Sequence, residues 1–321
     1  MIDSKQRGRR TFIAALGATM AGVALPSWAK YQPDQFRIGY QKAASTLVLL
    51  KAHGALEKRL APLGIKVSWN EFPAGPQLLE GLNVGAIDFG YVGEAPPVFA
   101  QAAGANFVYT AYEIPTPHAE GILVHQDAPI KTIADLKGKR IALNKGSDVH
   151  WFLVAALQKA GIKYTEIQPV FLPPADARAA FERGAIDAWA IWDPFLEAAR
   201  RQSNARLLTD GAGIVSHHQF FLSARPFAQQ NSDIIAAVVE EVGKEGVWVR
   251  GHYAEAAAQL APIQGLDASV VDASLRHYAH TYKPVDAEVL AEQQRIADAF
   301  TELRIIPTKI VTREAVLGPK V

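Results

Sequence analysis

The sequence contains no cysteine and only two methionines among its 321 residues. Without cysteine the chain cannot form a disulfide, carry a thiol-attached lipid or ligate a metal through thiolates. It also lacks a P-loop, a Rossmann glycine fingerprint, a G-x-S-x-G nucleophile elbow and an H-E-x-x-H metal motif. We therefore expect no catalytic residues, no cofactor and no metal site.

Two histidine pairs remain as metal candidates, at His217-His218 and at His277-x-x-His280. Neither pair has the closely spaced carboxylate set that a metal motif of this kind requires. We interpret His218 instead as a neutral hydrogen-bonding group in the wall of a ligand cleft.

Residues 1–29 have the pattern of an export signal and not of a folded segment. A basic start is followed by a 12-residue small and apolar run at 14–25 and by the small-x-small ending Ser27-Trp28-Ala29. The run is too short to span a membrane as a stable helix, and Arg9-Arg10 is similar to a twin-arginine signal. We expect export to the periplasm and removal of this segment, with a retained membrane anchor as the alternative.

The chain has 33 basic and 32 acidic residues, of which residues 1–29 hold four and one. The remaining 29 basic and 31 acidic residues give a net charge of −2. A nearly neutral surface does not suit a protein that binds nucleic acid or a membrane surface. The mature chain of about 290 residues has the size at which chains divide into lobes, and we expect a monomer.

One stretch of the chain occurs twice. Residues 72–94 and 171–193 align at a constant offset of 99 and share an opening phenylalanine, a GAID tetrad and an acid six residues after it. Upstream, RIGYQK at 37–42 is echoed by RIALNK at 140–145, and a serine follows each within three residues. A period near 100 residues is far longer than that of a solenoid repeat. The duplication predicts two similar lobes that face each other across a cleft.

Strand patterns alternate with helix patterns in both copies, which indicates an α/β fold with mostly parallel sheets flanked by helices. We predict that residues 30–117 and 224–321 form a discontinuous first lobe and that residues 118–223 form the second lobe. The chain is expected to cross over near 115–119 and to return near Ser223–Pro226.

Three helix assignments concern the surroundings of the cleft. A helix is predicted from Thr46 to Leu60, and another from Pro96-Pro97 to about Ala103. The composition of the chain from 232 to about 300 also predicts helical structure, which we expect to pack on the first lobe.

Ligands of open α/β sheets bind beyond the carboxyl ends of the strands. Four strand-to-helix junctions of this kind are present, at Gln41–Thr46, Gly93–Pro96, Asn144–His150 and Trp192–Pro194. Each brings free backbone N–H groups and the positive end of a helix dipole to the cleft, which suits an oxyanion. The favoured ligand-binding residues are Gln41, Ser45, Thr46 and Ser147, with N–H groups near Gly93 and Gly146.

Two groups of these side chains have alternative roles. The serines could act as helix caps, which is compatible with ligand contact. Trp151, Trp189 and Trp192 lie near the junctions of the second lobe. One or two of them are candidates to wall an apolar ligand tail, and burial in the core is the alternative.

The acids at the junctions have different expected roles. Asp193 before Pro194 has the pattern of an N-cap followed by a proline at the first helical position, with ligand contact as the alternative. Two residues separate Glu94 from a helix that begins at Pro97, and Glu94 could hold a hydroxyl or ammonium of the ligand. Asp148 would repel an anion if it faced the cleft, so we expect it to point to solvent or to cap its helix.

Several segments between residues 36 and 310 carry a family resemblance: RIGYQK, EFPAGPQLLEGLNVGAIDFG, APPVFAQAAGA, PIKTIADLKGKRIAL, KGS, PADARAAFERGAIDAWAIWDPF and LSARPFA. Together they resemble the aliphatic sulfonate-binding proteins, periplasmic components of ABC importers with the two-lobed type II binding-protein fold. The resemblance implies capture of alkanesulfonates by closure of the lobes and delivery to a permease in the inner membrane. It implies sulfonate contacts at Gln41, Gly93, Glu94, Ser147, His150 and Trp192. The sequence departs from residues common in the family at Ala43-Ala44, Glu94 and Asp148, which bears on the exact ligand.

A sulfonate is a permanent monoanion with three acceptor oxygens and no proton to donate. A nest of backbone N–H, hydroxyl and amide donors suits such a ligand. Binding of taurine, nitrate or a pyrimidine precursor is the alternative within the same class of protein. A secreted enzyme that uses Glu94 or Asp193 as a base is the alternative from another class.

Overall fold

The structure, a computed structural model, describes residues 33–318, so the predicted export signal lies outside the described part of the chain. Its strands are β1 (Gln35–Tyr40), β2 (Lys66–Glu71), β3 (Phe89–Gly93), β4 (Phe107–Glu113), β5 (Glu120–His125), β6 (Arg140–Leu143), β7 (Gln168–Phe171), β8 (Ala188–Trp192), β9 (Ala205–Asp210), β10 (Gln219–Ala224) and β11 (Tyr282–Lys283). Its α-helices are α1 (Ser45–His53), α2 (Ala55–Leu60), α3 (Gly75–Asn83), α4 (Ala95–Ala102), α5 (Asp148–Lys159), α6 (Pro174–Glu182), α7 (Phe195–Gln202), α8 (Arg225–Gln230), α9 (Ser232–Gly251), α10 (Tyr253–Gln264), α11 (Ala268–Leu275) and α12 (Ala287–Glu302). Within residues 33–318, no helix combines the length and the apolar character needed to cross a membrane.

The strands form two sheets, one with the order β11-β4-β10-β3-β1-β2 and one with the order β7-β6-β8-β5-β9. We call the parts built on them the first and the second lobe. In the first sheet β1 is parallel to β2 and β3, and β10 runs antiparallel to β3 and β4. In the second sheet β6 is parallel to β7 and β8, and β5 runs antiparallel to β8 and β9. The two lobes therefore repeat one topology, and the predicted α/β fold with two similar lobes is confirmed.

The repeated GAID tetrad has a structural role in both lobes. The carboxylate of Asp88 accepts hydrogen bonds from Arg37 through the backbone N at 2.9 Å, Nε at 3.0 Å and Nη2 at 2.6 Å. Asp187 accepts the same three bonds from Arg140, at 2.8, 3.2 and 3.0 Å. The glycines that open the tetrads have φ values of +73° and +69°, which favour glycine. The repeat thus ties the starts of two neighbouring strands together in each lobe.

Each sheet has its own hydrophobic core. Fully buried Trp189, Phe152 and Phe181 lie in the core of the second lobe, and fully buried Phe36 and Phe89 lie in that of the first. Burial of one such side chain contributes about 1.5–3 kcal/mol. Trp189 therefore has the core role that the sequence left open as its alternative.

A smaller apolar cluster joins the two lobes. It brings Ala95 and Val98 of α4 in the first lobe against Val154 of α5 in the second, with Phe300 of α12 packed on both. The ring of Trp151 lies 5.8 Å from the ring of Phe300. The lobes are therefore in contact, and Trp151 packs at their boundary.

The structure corrects three helix assignments. The single helix predicted at Thr46–Leu60 is divided into α1 and α2, because Gly54 takes a left-handed conformation with φ of +64°. α4 begins at Ala95, because proline is well tolerated in the first turn of a helix. The region after 232 contains α9 to α12 and also the short strand β11.

The chain returns to the first lobe earlier than predicted. β10 pairs with β3 and β4, so the return lies at residues 211–218 and not near Ser223–Pro226. The apolar run in β10 predicts a strand, but a single strand pattern cannot say which sheet the strand joins. The return therefore places residues 217–219 between the lobes.

Candidate functional site

Residues at the carboxyl ends of β1, β3, β6 and β8 meet between the lobes, where two adjoining cavities lie. The first, the cleft cavity, has a volume of about 20 Å³, which is room for about one water molecule. It is lined by Gln41, Ala43, Ala44, Gly75, Tyr91, Gly93, Pro96, Ser147, Asp148, Trp192, His217, Gln219 and Tyr278. The second, the side cavity, has a volume of about 10 Å³. It shares Ala43, Ala44, Tyr91 and Tyr278 with the first and is also lined by Ser45, Thr46, Leu47, Glu113, Phe221, His280 and Tyr282.

Three helices begin beside these cavities. Ala44, Gly93 and Ser147, which line the cleft cavity, lie just before or near the starts of α1, α4 and α5. The first turn of a helix has free N–H groups and the positive end of the helix dipole. No lysine or arginine is among the described residues that line either cavity. The walls therefore offer an anion hydrogen-bond donors and dipoles instead of a lysine or arginine charge.

Six of the ten predicted ligand-binding residues line the cavities. Gln41, Gly93, Ser147 and Trp192 line the cleft cavity, and Ser45 and Thr46 line the side cavity. The Gln41 amide donates to the Tyr91 carbonyl at 3.1 Å, and the Ser147 hydroxyl donates to the Asn144 carbonyl at 2.8 Å. The Ser147 side chain does not cap α5. Contact of these residues with a ligand stays a prediction.

Gly93 lies against the opposite lobe at very close range. A β-carbon at this position would be 1.7–2.0 Å from three atoms of the Asp148 carboxyl group. That distance is far below any van der Waals contact. A side chain at Gly93 is therefore incompatible with the present position of Asp148.

The direction of Asp148 differs from the prediction. Its side chain does not point to solvent and does not cap its own helix; Oδ1 accepts from the Ala95 N–H of α4, in the other lobe, at 3.2 Å. Oδ2 lies 3.4 Å from the Gln219 amide nitrogen and 3.7 Å from His217 Nε2. The carboxylate lines the cleft cavity because the free N–H groups of α4 and the imidazole are available to it there.

His150 does not line either cavity, although the family resemblance placed it at the ligand. Its Nδ1 accepts from the Gly146 N–H at 3.2 Å, and its Nε2 lies 3.0 Å from the Tyr164 hydroxyl. Burial, helped by the Lys145 charge, lowers the pKa of His150 to about 4, so the ring is neutral. His150 thus orders the loop that presents Ser147.

Asp193 lies outside the cavity walls. The N-cap of α7 is Pro194 and not Asp193 as predicted, but the Asp193 side chain still caps the first turn. Its Oδ1 accepts from the Glu197 N–H in the first turn of α7 at 3.1 Å. Its Oδ2 lies 2.6 Å from Nδ1 of His277. Burial raises the pKa of Asp193, and the His277 contact opposes this rise. Both oxygens are occupied within the protein.

Glu94 and His218 also lie outside the cavity walls. Because α4 begins directly after Glu94, the two-residue gap predicted before the helix does not exist. Glu94 Oε2 accepts from the His218 N–H at 2.9 Å. The His218 ring contacts the Glu113 carbonyl at 3.1 Å and the Glu292 carboxyl at 2.8 Å. The two residues contact each other behind the wall of the cleft.

Several residues in or beside the cavities were not found from the sequence. His217 was considered only for a metal, and Tyr278 follows no strand and no motif. Glu113 and Glu120 lie at the ends of otherwise apolar strands, and this pattern could have identified them as buried acids. Glu113 accepts from the Tyr91 hydroxyl and from the His280 N–H, each at 2.6 Å. Burial, partly opposed by these bonds, raises the pKa of Glu113 to about 7.

Comparisons with known proteins agree with this architecture. Residues 61–268 match the family model described as NMT1/THI5 like. The aliphatic sulfonates-binding protein of Escherichia coli (strain K12) is 49% identical to the chain over 292 residues, which cover 91% of each protein.

Two solved structures share the fold and much of the sequence. The alkanesulfonate-binding protein SsuA of Xanthomonas axonopodis pv. citri, bound to MOPS, superposes with a TM-score of 0.85 at 44% identity and covers 89% of this chain and 99% of its own. The periplasmic aliphatic sulphonate binding protein SsuA of Escherichia coli superposes with a TM-score of 0.83 at 49% identity, over 90% and 93% of the two chains. The chain therefore belongs to the NMT1/THI5-like family and, within it, to the aliphatic sulfonate-binding proteins.

Proposed function

We propose that this protein is the periplasmic receptor of an ABC importer and captures aliphatic sulfonates between its lobes. The observation that carries the proposal is the cleft cavity, to which both lobes contribute strand ends and helix starts but no lysine or arginine. Such a wall supplies hydrogen-bond donors to the three permanent acceptor oxygens of a sulfonate. The Asp148 carboxylate also lines the cavity, where it accepts from the Ala95 N–H. The names of the related proteins support the same ligand class.

The sulfonate group is assigned to the cleft cavity and its tail to the side cavity, and both cavities, which are now about 20 and 10 Å³, would widen to admit them as the lobes part. Gln41, Ser147 and the backbone at Gly93 would hold the oxygens, with Trp192 as a wall. The side cavity adjoins this site and has aromatic walls, formed by Tyr91, Phe221, Tyr278 and Tyr282. Aromatic surface suits an organic tail, which favours an alkanesulfonate over nitrate.

The transport role follows from the same proposal. The protein would act in the periplasm after removal of residues 1–29, as a monomer that carries out no catalytic step. The lobes would close on the ligand and present it to a permease in the inner membrane. Scattering should then show a smaller radius of gyration when a sulfonate is added to the open, ligand-free protein.

A ligand screen tests the proposal. Thermal shift and calorimetry on the mature protein, in phosphate buffer, should show binding of alkanesulfonates and weaker or no binding of sulfate, nitrate and a pyrimidine precursor. Taurine shows whether the protein also binds a sulfonate whose short tail carries an ammonium group. Mass spectrometry of the released ligand should show it unchanged. Stabilisation by nitrate or a pyrimidine precursor alone would contradict the sulfonate assignment, and an altered ligand would favour the enzyme alternative.

A further inference from the structure

Three carboxyl groups and one imidazole meet in a buried cluster beside the cleft cavity. They belong to Glu94, Glu120, Asp148 and His217, which we call the acid cluster, and their exposed fractions are 2%, 0%, 8% and 0%. His217 Nε2 lies 3.8 Å from Glu120 Oε2 and 3.7 Å from Asp148 Oδ2. Glu94 precedes α4 in the first lobe, Asp148 opens α5 in the second, and the other two lie at the crossovers between the lobes. The cluster therefore joins both lobes and both connections.

Three carboxyl oxygens of the acid cluster lack a hydrogen-bond partner among the described residues. Neither carboxyl oxygen of Glu120 has a hydrogen-bond partner among the described residues, and neither does Oε1 of Glu94. Asp148 has contacts for both oxygens, as described above. A buried carboxylate whose oxygens lack donors is strongly disfavoured in its charged form.

The balance of charge in the cluster leads to the same conclusion. His217 can offset at most one of the three negative charges. Among the described residues, no lysine or arginine forms an ion pair with the three carboxyls; Arg295, which lines a surface pocket together with Glu94, pairs with Glu292 at 3.1 Å. The other titratable groups that face the cluster are Glu113, a buried carboxyl on which His217 acts, His218, which contacts Glu292 at 2.8 Å, and Tyr278 in the cavity wall. Two negative charges would thus be buried without a counter-ion, unless protons neutralise them.

The direction of the pKa shifts agrees with this geometry. Burial raises the pKa of Glu120 to about 8, against the opposing effect of His217. Burial also raises the pKa of Glu94 well above its usual value, and Glu120 raises it further. For His217, burial lowers the pKa, but the nearby carboxyls outweigh this effect and raise it to about 10. Near neutral pH Glu120 is therefore mostly protonated, and the surroundings of Glu94 favour its protonated form in the same direction.

We propose that the protein binds its sulfonate together with one or two protons, which Glu94 and Glu120 hold while the lobes are closed. This inference rests on the proposed function. Because the Asp148 carboxylate touches the first residue of α4 in the other lobe, the cluster is complete only when the lobes are together. Separation of the lobes admits water to the carboxyls and returns their pKa values towards the usual value of about 4.3. Closure on a ligand then takes protons up.

The sign of the pH dependence follows from these pKa values. Both carboxyls have a higher pKa in the closed protein, so a lower pH favours the closed, liganded form. For Glu120, sulfonate affinity should fall as the pH rises from about 4.3 to about 8, and it should be level outside this window. A sulfonate does not titrate in this range, so any such dependence belongs to the protein.

Calorimetric titration of the mature protein with butanesulfonate tests the inference. Phosphate and Tris buffers, which have different ionisation enthalpies, should be compared at the same pH, because sulfonate buffers such as MOPS would compete. The change of the observed binding enthalpy with the ionisation enthalpy of the buffer gives the number of protons taken up. We expect roughly one to two protons per ligand near neutral pH. The dissociation constant should rise at least about tenfold between about pH 6 and pH 8.

Amide variants locate the protons. Glu120→Gln imitates the protonated acid, so it should remove about one proton from the count and flatten the pH dependence while keeping sulfonate binding. Glu94→Gln should do the same if Glu120→Gln fails to fold. Glu241→Gln is the matched control, because Glu241 is a buried acid on α9 that pairs with Lys244 far from the cluster. It should leave the proton count unchanged.

The outcomes separate this inference from the proposed function. Absence of binding to every sulfonate at every pH would reject the proposed function itself. Sulfonate binding with no proton uptake and a constant dissociation constant would overturn only the proton inference. A proton count that persists in both Glu120→Gln and Glu94→Gln would likewise overturn the assignment to these two acids.

Discussion

The two lobes share a scaffold and differ at the ends of their strands. Arg37 with Asp88 in the first lobe and Arg140 with Asp187 in the second make the same set of hydrogen bonds. The residues that end the third strand of each repeat have diverged, since the first lobe has glycine where the second has Trp192. Duplication therefore kept what holds each sheet together and changed what faces the cleft.

The acids that follow these positions show the divergence most clearly. Glu94 and Asp193 occupy equivalent places in the two copies. Both oxygens of Asp193 are bound, by the start of α7 and by His277, whereas Glu94 has one bound oxygen and one with no partner within residues 33–318. One copy of the acid thus stabilises a helix, and the other enters the acid cluster. Equivalent sequence positions do not imply equivalent chemistry.

The largest effect on sulfonate binding is expected from a side chain at Gly93, the position equivalent to Trp192 of the second lobe. Gly93→Ala should displace the Asp148 carboxylate from the Ala95 N–H, and weaken sulfonate binding by roughly 2–3 kcal/mol, about 30- to 150-fold. Calorimetry with one alkanesulfonate measures the effect. Gly243→Ala on α9 is the control, because outside the adjoining helix backbone no atom of the described residues lies within 4 Å of the new carbon.

A second change shows whether the clash itself is responsible. In an Asp148→Ala background the added methyl group meets no carboxylate, so Gly93→Ala should cost clearly less than in the wild type. An equal loss in both backgrounds would contradict the role given to Asp148.

The Arg–Asp ion pair that both lobes share should contribute more to the free energy of unfolding in the first lobe than in the second. The Asp88 side chain is 8% exposed and the Asp187 side chain 30% exposed. Asp88→Asn should therefore lower the free energy of unfolding by about 2–3 kcal/mol, and Asp187→Asn by about 1 kcal/mol, because exposed pairs are weak. Urea unfolding at neutral pH compares the two variants. If both variants lose the same free energy of unfolding, burial does not determine how strongly the two ion pairs stabilise the fold.

The strand-end donors should matter more for binding than the neighbouring lysines. Ser147→Ala and Gln41→Ala should each weaken sulfonate binding by roughly 1–3 kcal/mol, about 5- to 150-fold. Lys42→Ala and Lys145→Ala should each change it by less than about 1 kcal/mol, as is usual for screened surface charges. Calorimetry on the four variants decides between donors and charges. A loss confined to the lysine variants would show a direct ion pair.

The smallest effect concerns the third residue of the first helix in each repeat, which is Leu47 in one copy and His150 in the other. The folded-state pKa of His150, lowered to about 4 by burial, lies below the unfolded value of about 6.5. The neutral ring therefore contributes fully to the free energy of unfolding above the unfolded pKa of about 6.5. This contribution is lost as the pH falls, and it decreases by about 1 kcal/mol between about pH 6.5 and pH 5.5. Chemical unfolding of the wild type and His150→Leu should reveal this difference. Parallel pH profiles would contradict a lowered pKa.

The duplicated pattern predicted the architecture because it consists of local signals repeated at a fixed distance. Alternating strands and helices, turn glycines and the paired tetrads indicate a sheet wherever they occur. The loops Gln41–Thr46 and Gly93–Pro96 could be assigned to the cleft because strand ends of a parallel sheet share one edge. Breaks such as Gly54 were missed because glycine is tolerated within helices as well as between them.

The sequence alone was enough to predict the two-lobed α/β fold. It also predicted that the strand ends would bring four residues to the cleft: Gln41, Gly93, Ser147 and Trp192. It could not predict that Asp148 reaches across to α4 or that Glu120 and His217 meet beside it. Strand ends follow from patterns within about ten residues of each other, whereas this cluster joins residues as far apart as 94 and 217. Only the packing of the lobes and of the return segment brings those groups together, and burial by that packing decides which of them hold protons.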